Sequence, residues 1–296
     1  MRIQFILSCQ KGTIIPINYQ SEISNWIFTA LAKSGSELVA HLQEKGFNVT
    51  TQGYKQFTFS PLAIFPYEMD QVRQEFRLLG NQVKIAISIY LDASFEQQVV
   101  SLFRQTPLQL GMLEGRPAYF EVKHWQILPR PQFKETHQFK AVSPISVTNT
   151  EDIPVPSPYI LPDSETYDIS FFTHIIRRFK AAHRYKSLAG LKLLDPSFPM
   201  HYRLIGQAKS RLIHLKHNYE GLTQLRGFVF DLELNMPVEV MEYIYYGGLG
   251  EFPYLGFGFV DFREEDAKPE KRHSGGKSEQ RDYSQQRPPQ RPRQQY

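Results

Sequence analysis

Cysteine is nearly missing from this chain: Cys9 is the single one in 296 residues. That excludes an intrachain disulfide and any cysteine-based metal cluster. Long apolar runs are missing too. None approaches the ~18 residues that signal a membrane span, and the opening MRIQFILSC is too short and too polar for a signal peptide. A cytoplasmic protein without membrane contact is the expectation. The chain also lacks a P-loop, a dinucleotide fingerprint and a nucleophile elbow. Nine histidines occur, but those closest together, His214 and His217, have no carboxylate or thiolate pattern beside them. Neither a metal nor an organic cofactor is expected.

The last residues lack every large aliphatic side chain. From Lys268 to Tyr296 there is no Leu, Ile, Val, Phe, Met or Trp, and eight Lys/Arg stand against three Asp/Glu. The rest of the chain carries 26 against 27, so the body is near neutral and the tail holds the excess. A tail of this composition cannot bury enough apolar surface to order itself. It reads either as an arm attracted to phosphates or as a solubilising extension.

What the chain does have is a concentration of glycine. Gly247 to Phe259 reads GGLGEFPYLGFGF, with Gly247, Gly248, Gly250, Gly256 and Gly258. Glycine takes positive φ at little cost and lets another backbone approach closely. Such a run either presents its N–H groups to an anion such as phosphate or makes a tight turn between a helix and a strand.

Hydrophobic periodicity organises the remainder. Ile3, Phe5 and Leu7 alternate with polar residues, as in a half-buried strand. A helix capped at Ser21 places Ile23, Trp26, Ile27, Ala30 and Leu31 on one face. A short helix from Ser36 to Lys45 follows, then strands at Lys55–Ser60 and Val83–Leu91, a helix at Ser94–Gln105 and a strand at Ala118–Leu128. The order β-α-β-β-α-β is ferredoxin-like. After a proline-broken connection to Gln138, a second unit is expected from Val142. It has a helix at Ser164–Lys186, strands at 201–215 and 226–234, a helix from Pro237, the glycine loop and a last strand to Phe262. The expected fold is α+β: two tandem ferredoxin-like domains, residues 1–138 and 139–265, followed by a disordered basic tail, 266–296.

Gly248-x-Gly250, five residues, then Gly256-Phe257-Gly258 resembles the carboxy-terminal glycine signature of the CRISPR repeat-processing endoribonucleases, within the RAMP superfamily. MRIQFIL, PIN at 16–18, SNWIFTAL at 24–31, KQFTFSPL at 55–62, SPISV at 143–147 and RGFVFDLEL at 226–234 agree in order and spacing. The likeness runs from residue 1 to about 263. It implies binding of repeat RNA in precursor transcripts and metal-independent cleavage, in which the RNA's 2′-hydroxyl attacks the adjacent phosphate to leave a 2′,3′-cyclic phosphate. A catalytically weak repeat-binding subunit of an effector complex is the alternative. Other effector subunits and a second copy of the chain are candidate partners.

Such chemistry needs proton transfer and a cation for the developing charge. The resemblance implies a tyrosine on the first helix, a histidine on the second and a lysine before the next strand. Lys55 stands at the lysine position. Phe28 stands at the tyrosine position and Gln43 at the histidine position. Phe28 transfers no proton but can stack a base, and Gln43 hydrogen-bonds but does not titrate. His41 lies two residues before Gln43, ~200° around a helix. The catalytic candidates are thus Lys55, His41 and Gln43. Basic residues interleaved with aromatics suit RNA: Arg177, Arg178, Lys180 and Arg184 flank Phe179 and Tyr185, and Lys209, Arg211 and Arg226 add charge near the later strands. With Phe28 and the glycines Gly248, Gly250, Gly256 and Gly258, these are the candidate RNA contacts. The interval Glu251–Leu255 holds no lysine, so contact there falls to backbone N–H groups, Phe252 or Tyr254.

Overall fold

A computed structural model describes residues 1–35, 37–40, 55–112, 115–149, 158–183, 200–217 and 221–263. The expected disordered tail, His41, Gln43 and Arg184 lie outside the described residues.

The first domain is built from β1 (Arg2–Ser8), β2 (Ile14–Pro16), α1 (Gln20–Ala32), β3 (Phe57–Phe59), β4 (Ala63–Ile64), β5 (Tyr67–Asp70), β6 (Glu75–Leu78), β7 (Gln82–Ile89), α2 (Glu96–Arg104), β8 (Leu108–Leu110) and β9 (Ala118–Ile127). Its main sheet runs β3-β7-β1-β9-β8. The first four of these strands, with α1 and α2, make the ferredoxin-like order. Ile3, Phe5 and Leu7 are fully buried, as their alternation demands. The five apolar residues of the α1 stripe are buried as well. Trp26 packs edge-on to Phe103 with ring centroids 4.9 Å apart, and its indole N–H donates to the Thr106 carbonyl at 2.7 Å. A buried tryptophan is tolerated because its polar edge is satisfied. The helix starts without a side-chain cap, so the Ser21 cap is absent. Ser36–Lys45 is described only at residues 37–40, a helical turn that buries Leu38.

The strands β2, β5 and β6 form a separate small sheet, ordered β2-β6-β5. The sequence gives them little signal. Residues of β5, Tyr-Glu-Met-Asp, are all exposed, so no apolar alternation marks the strand.

The second domain consists of β10 (Thr136–Ala141), α3 (Tyr167–Ala182), β11 (His201–His217), β12 (Gly221–Asn235), α4 (Val238–Gly247) and β13 (Val260–Phe262). Its sheet runs β11-β12-β10-β13. Numbered within the domain this is 2-3-1-4, the same permutation as in the first. Both halves are therefore ferredoxin-like. The second unit opens with β10, at Thr136 rather than at 139 or Val142. His137, Phe139 and Ala141 are the buried alternate residues of that strand. On α3 the buried residues Phe171, Ile175, Arg178 and Ala182 recur at helical spacing and face the second core.

The domains dock through β3 and the residue before it. The Tyr243 hydroxyl donates to Gln56 Oε1 at 2.5 Å, and Thr58 Oγ1 donates to the Phe257 carbonyl at 2.8 Å. Arg2 is buried, donates to the carbonyls of Tyr245 (3.0 Å) and Val260 (2.9 Å), pairs with Asp261, and lies 3.7 Å from the centre of the Tyr245 ring. No described helix is long and apolar enough to cross a membrane.

Candidate functional site

The glycine loop is the seam of this docking. Its chain bends with positive φ at Gly248, Gly250, Gly256 and Gly258. A Cβ on Gly248 would meet Thr58 at 2.8 Å, and one on Gly256 would meet the Phe59 ring at 2.5 Å. Both targets belong to β3 of the first domain. The glycines are therefore required by close approach between domains. Many of the loop's amides are already used. Gly248 N–H donates to Ile244, Leu249 to Gly258, Glu251 to Ser146, Gly256 to Pro253 and Gly258 to Pro144, all at carbonyl oxygens 2.7–2.9 Å away. The loop is not an open cradle of N–H groups for phosphate. Gly248 and Gly256 pack the interface instead, Gly258 closes against the Leu249 backbone of the same loop, and Gly250 seats the loop on Ser146, whose carbonyl a Cβ would meet at 2.3 Å.

Arg178 also differs from the sequence-based expectation. It is only 2% exposed. Its guanidinium donates to the carbonyls of Gly247 (2.5 Å), Gly248 (2.8 Å) and Gly250 (3.1 Å). An arginine committed to loop carbonyls cannot reach RNA. The spacing Phe171-Ile175-Arg178-Ala182 already puts it on the buried stripe, whereas Arg177 and Lys180 fall off that stripe and are exposed.

Beside the seam lies an open cleft of about 680 Å³. Its walls come from α1 (Glu22, Phe28), from Lys33 and Lys55, and from the turn Pro253–Leu255 of the glycine loop. The Lys55 ammonium lies over two aromatic rings. Its Nζ is 4.8 Å from the centre of the Phe28 ring and 4.2 Å from that of Tyr254. Burial lowers the Lys55 pKa from the ordinary lysine value. Phe28 is half-buried, set edge-on to Phe57 at 5.3 Å and lining the cleft. Glu22 is turned away from proton chemistry: its carboxylate accepts the N–H groups of Gly111 (2.9 Å) and Met112 (2.8 Å).

Sequence reasoning thus found Lys55 and Phe28, which the fold brings together, and named Tyr254 only as one of two loop aromatics. It missed Lys33, which donates to Thr106 Oγ1 at 3.2 Å on the cleft wall. A signal existed, since Lys33 follows the last turn of α1. The remaining basic candidates are elsewhere. Lys209, Arg211 and Arg226 lie exposed along the β11–β12 hairpin, where Arg226 is opposite Leu212. The hairpin contacts the first domain near the start of α1, with the His214 N–H 3.4 Å from Asn18 Oδ1. Among the described residues no cluster of three His, Cys, Asp or Glu could hold a metal.

The Cas6 C-terminal family of CRISPR-associated proteins matches residues 128–262. That match spans the second domain from β10 to β13. Solved structures agree on the fold over most of the chain. A Cas6-related protein of Pyrococcus furiosus superposes with a TM-score of 0.68 at 21% identity, covering 90% of this chain and 99% of its own. An RAMP protein described as binding different RNA substrates gives 0.66 at 17% identity, covering 89% and 100%. A CRISPR-associated Cas6 protein gives 0.63 at 19%, covering 89% and 99%. A search of curated proteins gave no significant match. The tandem ferredoxin-like architecture of this chain is thereby shared with these solved structures.

Proposed function

We propose that this chain binds CRISPR repeat RNA in precursor transcripts and cuts it without a metal. The observation that carries the reading is the Lys55 ammonium, without a salt bridge among the described residues, in a cleft shared by both domains of a chain whose second half matches the Cas6 C-terminal family. The 2′-oxygen bonds to phosphorus as its proton leaves to a base. The P–O5′ bond breaks and the 5′-oxygen takes a proton, leaving a 2′,3′-cyclic phosphate and a 5′-hydroxyl. Lys55 offers positive charge to the phosphorane, the kind of preorganised stabilisation that dominates many active sites. We assign the proton transfers to His41, with Gln43 as a hydrogen-bonding neighbour; both lie outside the described residues. Phe28 offers a ring face to a base. Arg177, Lys180, Lys209, Arg211 and Arg226 attract the RNA backbone, and Arg184, also outside the described residues, extends that set.

A second reading has its own support. Among the described residues, no histidine lines the cleft and the first-helix position is Phe28. A chain of this kind would hold repeat RNA, within an effector complex or as a dimer, and cut slowly or not at all. One assay separates the two: end-labelled repeat RNA incubated in EDTA, with and without a 2′-deoxy substitution at the cut site. Cleavage abolished by the deoxy sugar supports the enzyme. A gel shift with intact RNA supports the binder. Equal retention of an unrelated hairpin refutes both.

A further inference from the structure

We propose that Tyr254 is a working member of the Lys55 cleft, its ring holding the ammonium and its hydroxyl donating a hydrogen bond to the phosphate under attack. The inference rests on the reading of the cleft as an RNA-cutting site and adds a residue from the other domain to it.

Position is the first support. Tyr254 is the middle residue of a single 3₁₀ turn, Pro253–Leu255. That turn is pinned at its end by Gly256, in left-handed conformation and against the Phe59 ring. The tyrosine is thus carried by the second domain but positioned by the first. Its ring centre is 4.2 Å from Lys55 Nζ, and the Phe28 ring centre is 4.8 Å from the same atom. Aromatic faces attract a cation without neutralising it. No carboxylate forms a salt bridge with Lys55 among the described residues, so its charge is kept for an anion.

The hydroxyl is the second support. Tyr254 is the one phenol among the described residues lining the cleft. Tyr19 and Tyr243, by contrast, spend their hydroxyls on Leu62 N–H and on Gln56. Among the described residues, no protein group hydrogen-bonds the Tyr254 hydroxyl. It is not a buried unsatisfied atom either, so it meets the solvent of the cleft. Burial and the nearby Glu251 raise its pKa above the ordinary 10, so at neutral pH the phenol stays protonated. It is a donor there and not a base. Tyr254 therefore takes no proton in the reaction; a phenol O–H and an ammonium face the same anion.

The test is single-turnover cleavage of end-labelled repeat RNA in EDTA by wild type, Tyr254→Phe, Tyr254→Leu and Lys55→Ala. The Kd of the same RNA with a 2′-deoxy sugar at the cut site is measured in parallel, and thermal unfolding checks that each variant folds. Tyr254→Phe keeps the ring and loses the hydroxyl. Its rate should fall about tenfold to a hundredfold, the loss expected for one hydrogen bond to a charged group, with Kd within about twofold of wild type. Tyr254→Leu should approach Lys55→Ala in rate. If both Tyr254 variants cleave like wild type while Lys55→Ala does not, the Tyr254 assignment is wrong and the site reading stands. If wild type does not cleave, that reading fails and binding decides. Weaker binding of the deoxy RNA by both Tyr254→Leu and Lys55→Ala then supports a shared anion site; an unchanged Kd in both overturns it.

Discussion

Arg178 lies beneath Gly248, its Nη1 2.8 Å from the glycine's carbonyl oxygen. The contact joins the buried face of α3 to the loop that presents Tyr254. The carbonyls of Gly247 and Gly250 accept from the same guanidinium. A helix C-terminus leaves carbonyls without intrahelical partners, and here α4 ends at Gly247. A buried arginine supplies the missing donors and a compensating positive charge.

Replacing Arg178 should therefore be costly for the fold before it is costly for RNA. Arg178→Met leaves several buried carbonyls unpartnered, each worth about 1–3 kcal/mol. We expect a loss of about 3 kcal/mol in urea unfolding. Arg177→Met, one residue away and exposed, should change stability by less than about 0.5 kcal/mol. Equal effects from both would show that burial of Arg178 does not matter.

The glycines should separate in the same way. Gly258 has φ +64°, and a Cβ there would lie 1.9 Å from the Leu249 carbonyl oxygen, a backbone atom that cannot swing aside. Gly12 has φ +86° with nothing within 4 Å. Gly12→Ala should cost only the conformational penalty of about 1–2 kcal/mol. Gly258→Ala should add overpacking of 1–3 kcal/mol or more, or prevent folding. Thermal or denaturant midpoints of the pair decide it.

His174 sets a pH dependence. Its Nε2 is 3.1 Å from the Thr148 carbonyl oxygen, and Thr148 Oγ1 donates to Glu251 at 2.5 Å. Burial lowers the His174 pKa from 6.5, opposed by the Thr148 carbonyl and Glu251 and reinforced by Arg177 and Arg178. In the unfolded chain the imidazole takes its proton near pH 6.5; in the folded chain it does so only at lower pH. Its contribution to stability is therefore full above the unfolded value and lost as pH falls from about 6.5 through the folded pKa. The unfolding midpoint should drop over that window, and His174→Gln should flatten the slope. A slope unchanged in the variant would assign the effect to other groups.

The exposed cations predict salt behaviour. Each phosphate contact contributes a slope of about −0.9 in log K against log salt for duplex and about −0.7 for single strands. Arg177→Ala with Lys180→Ala, or Lys209→Ala with Arg211→Ala, should weaken repeat-RNA binding and make the slope shallower by about one for each lost contact. A double variant with wild-type affinity and slope would remove its pair from the RNA path.

Much was readable from residue order. Alternation in Ile3-Phe5-Leu7 and helical spacing in α1 and α3 report which face is buried, because both patterns are local consequences of backbone geometry. They identify most strands and helices of both ferredoxin-like units, but not β10, whose first residues were read as part of the connection, and they place Lys55 at the start of a strand that the structure begins at Phe57. Short exposed strands such as Tyr67–Asp70 carry no such pattern, and the small sheet they form was invisible. Spacing on α3 carries the signal that sets Arg178 apart, on the stripe with Phe171, Ile175 and Ala182, but the sequence reading grouped it with Arg177 and Lys180 as one basic patch.

What the chain could not disclose by itself was the use made of its glycines. Positive φ and a missing Cβ serve an anion or a neighbouring backbone equally well, and the choice depends on what lies across the gap. Folding puts Thr58 and Phe59 there. The same docking brings Tyr254 to Lys55 from 199 residues away, a meeting that no local periodicity encodes because it depends on how two separately folded cores fit against each other.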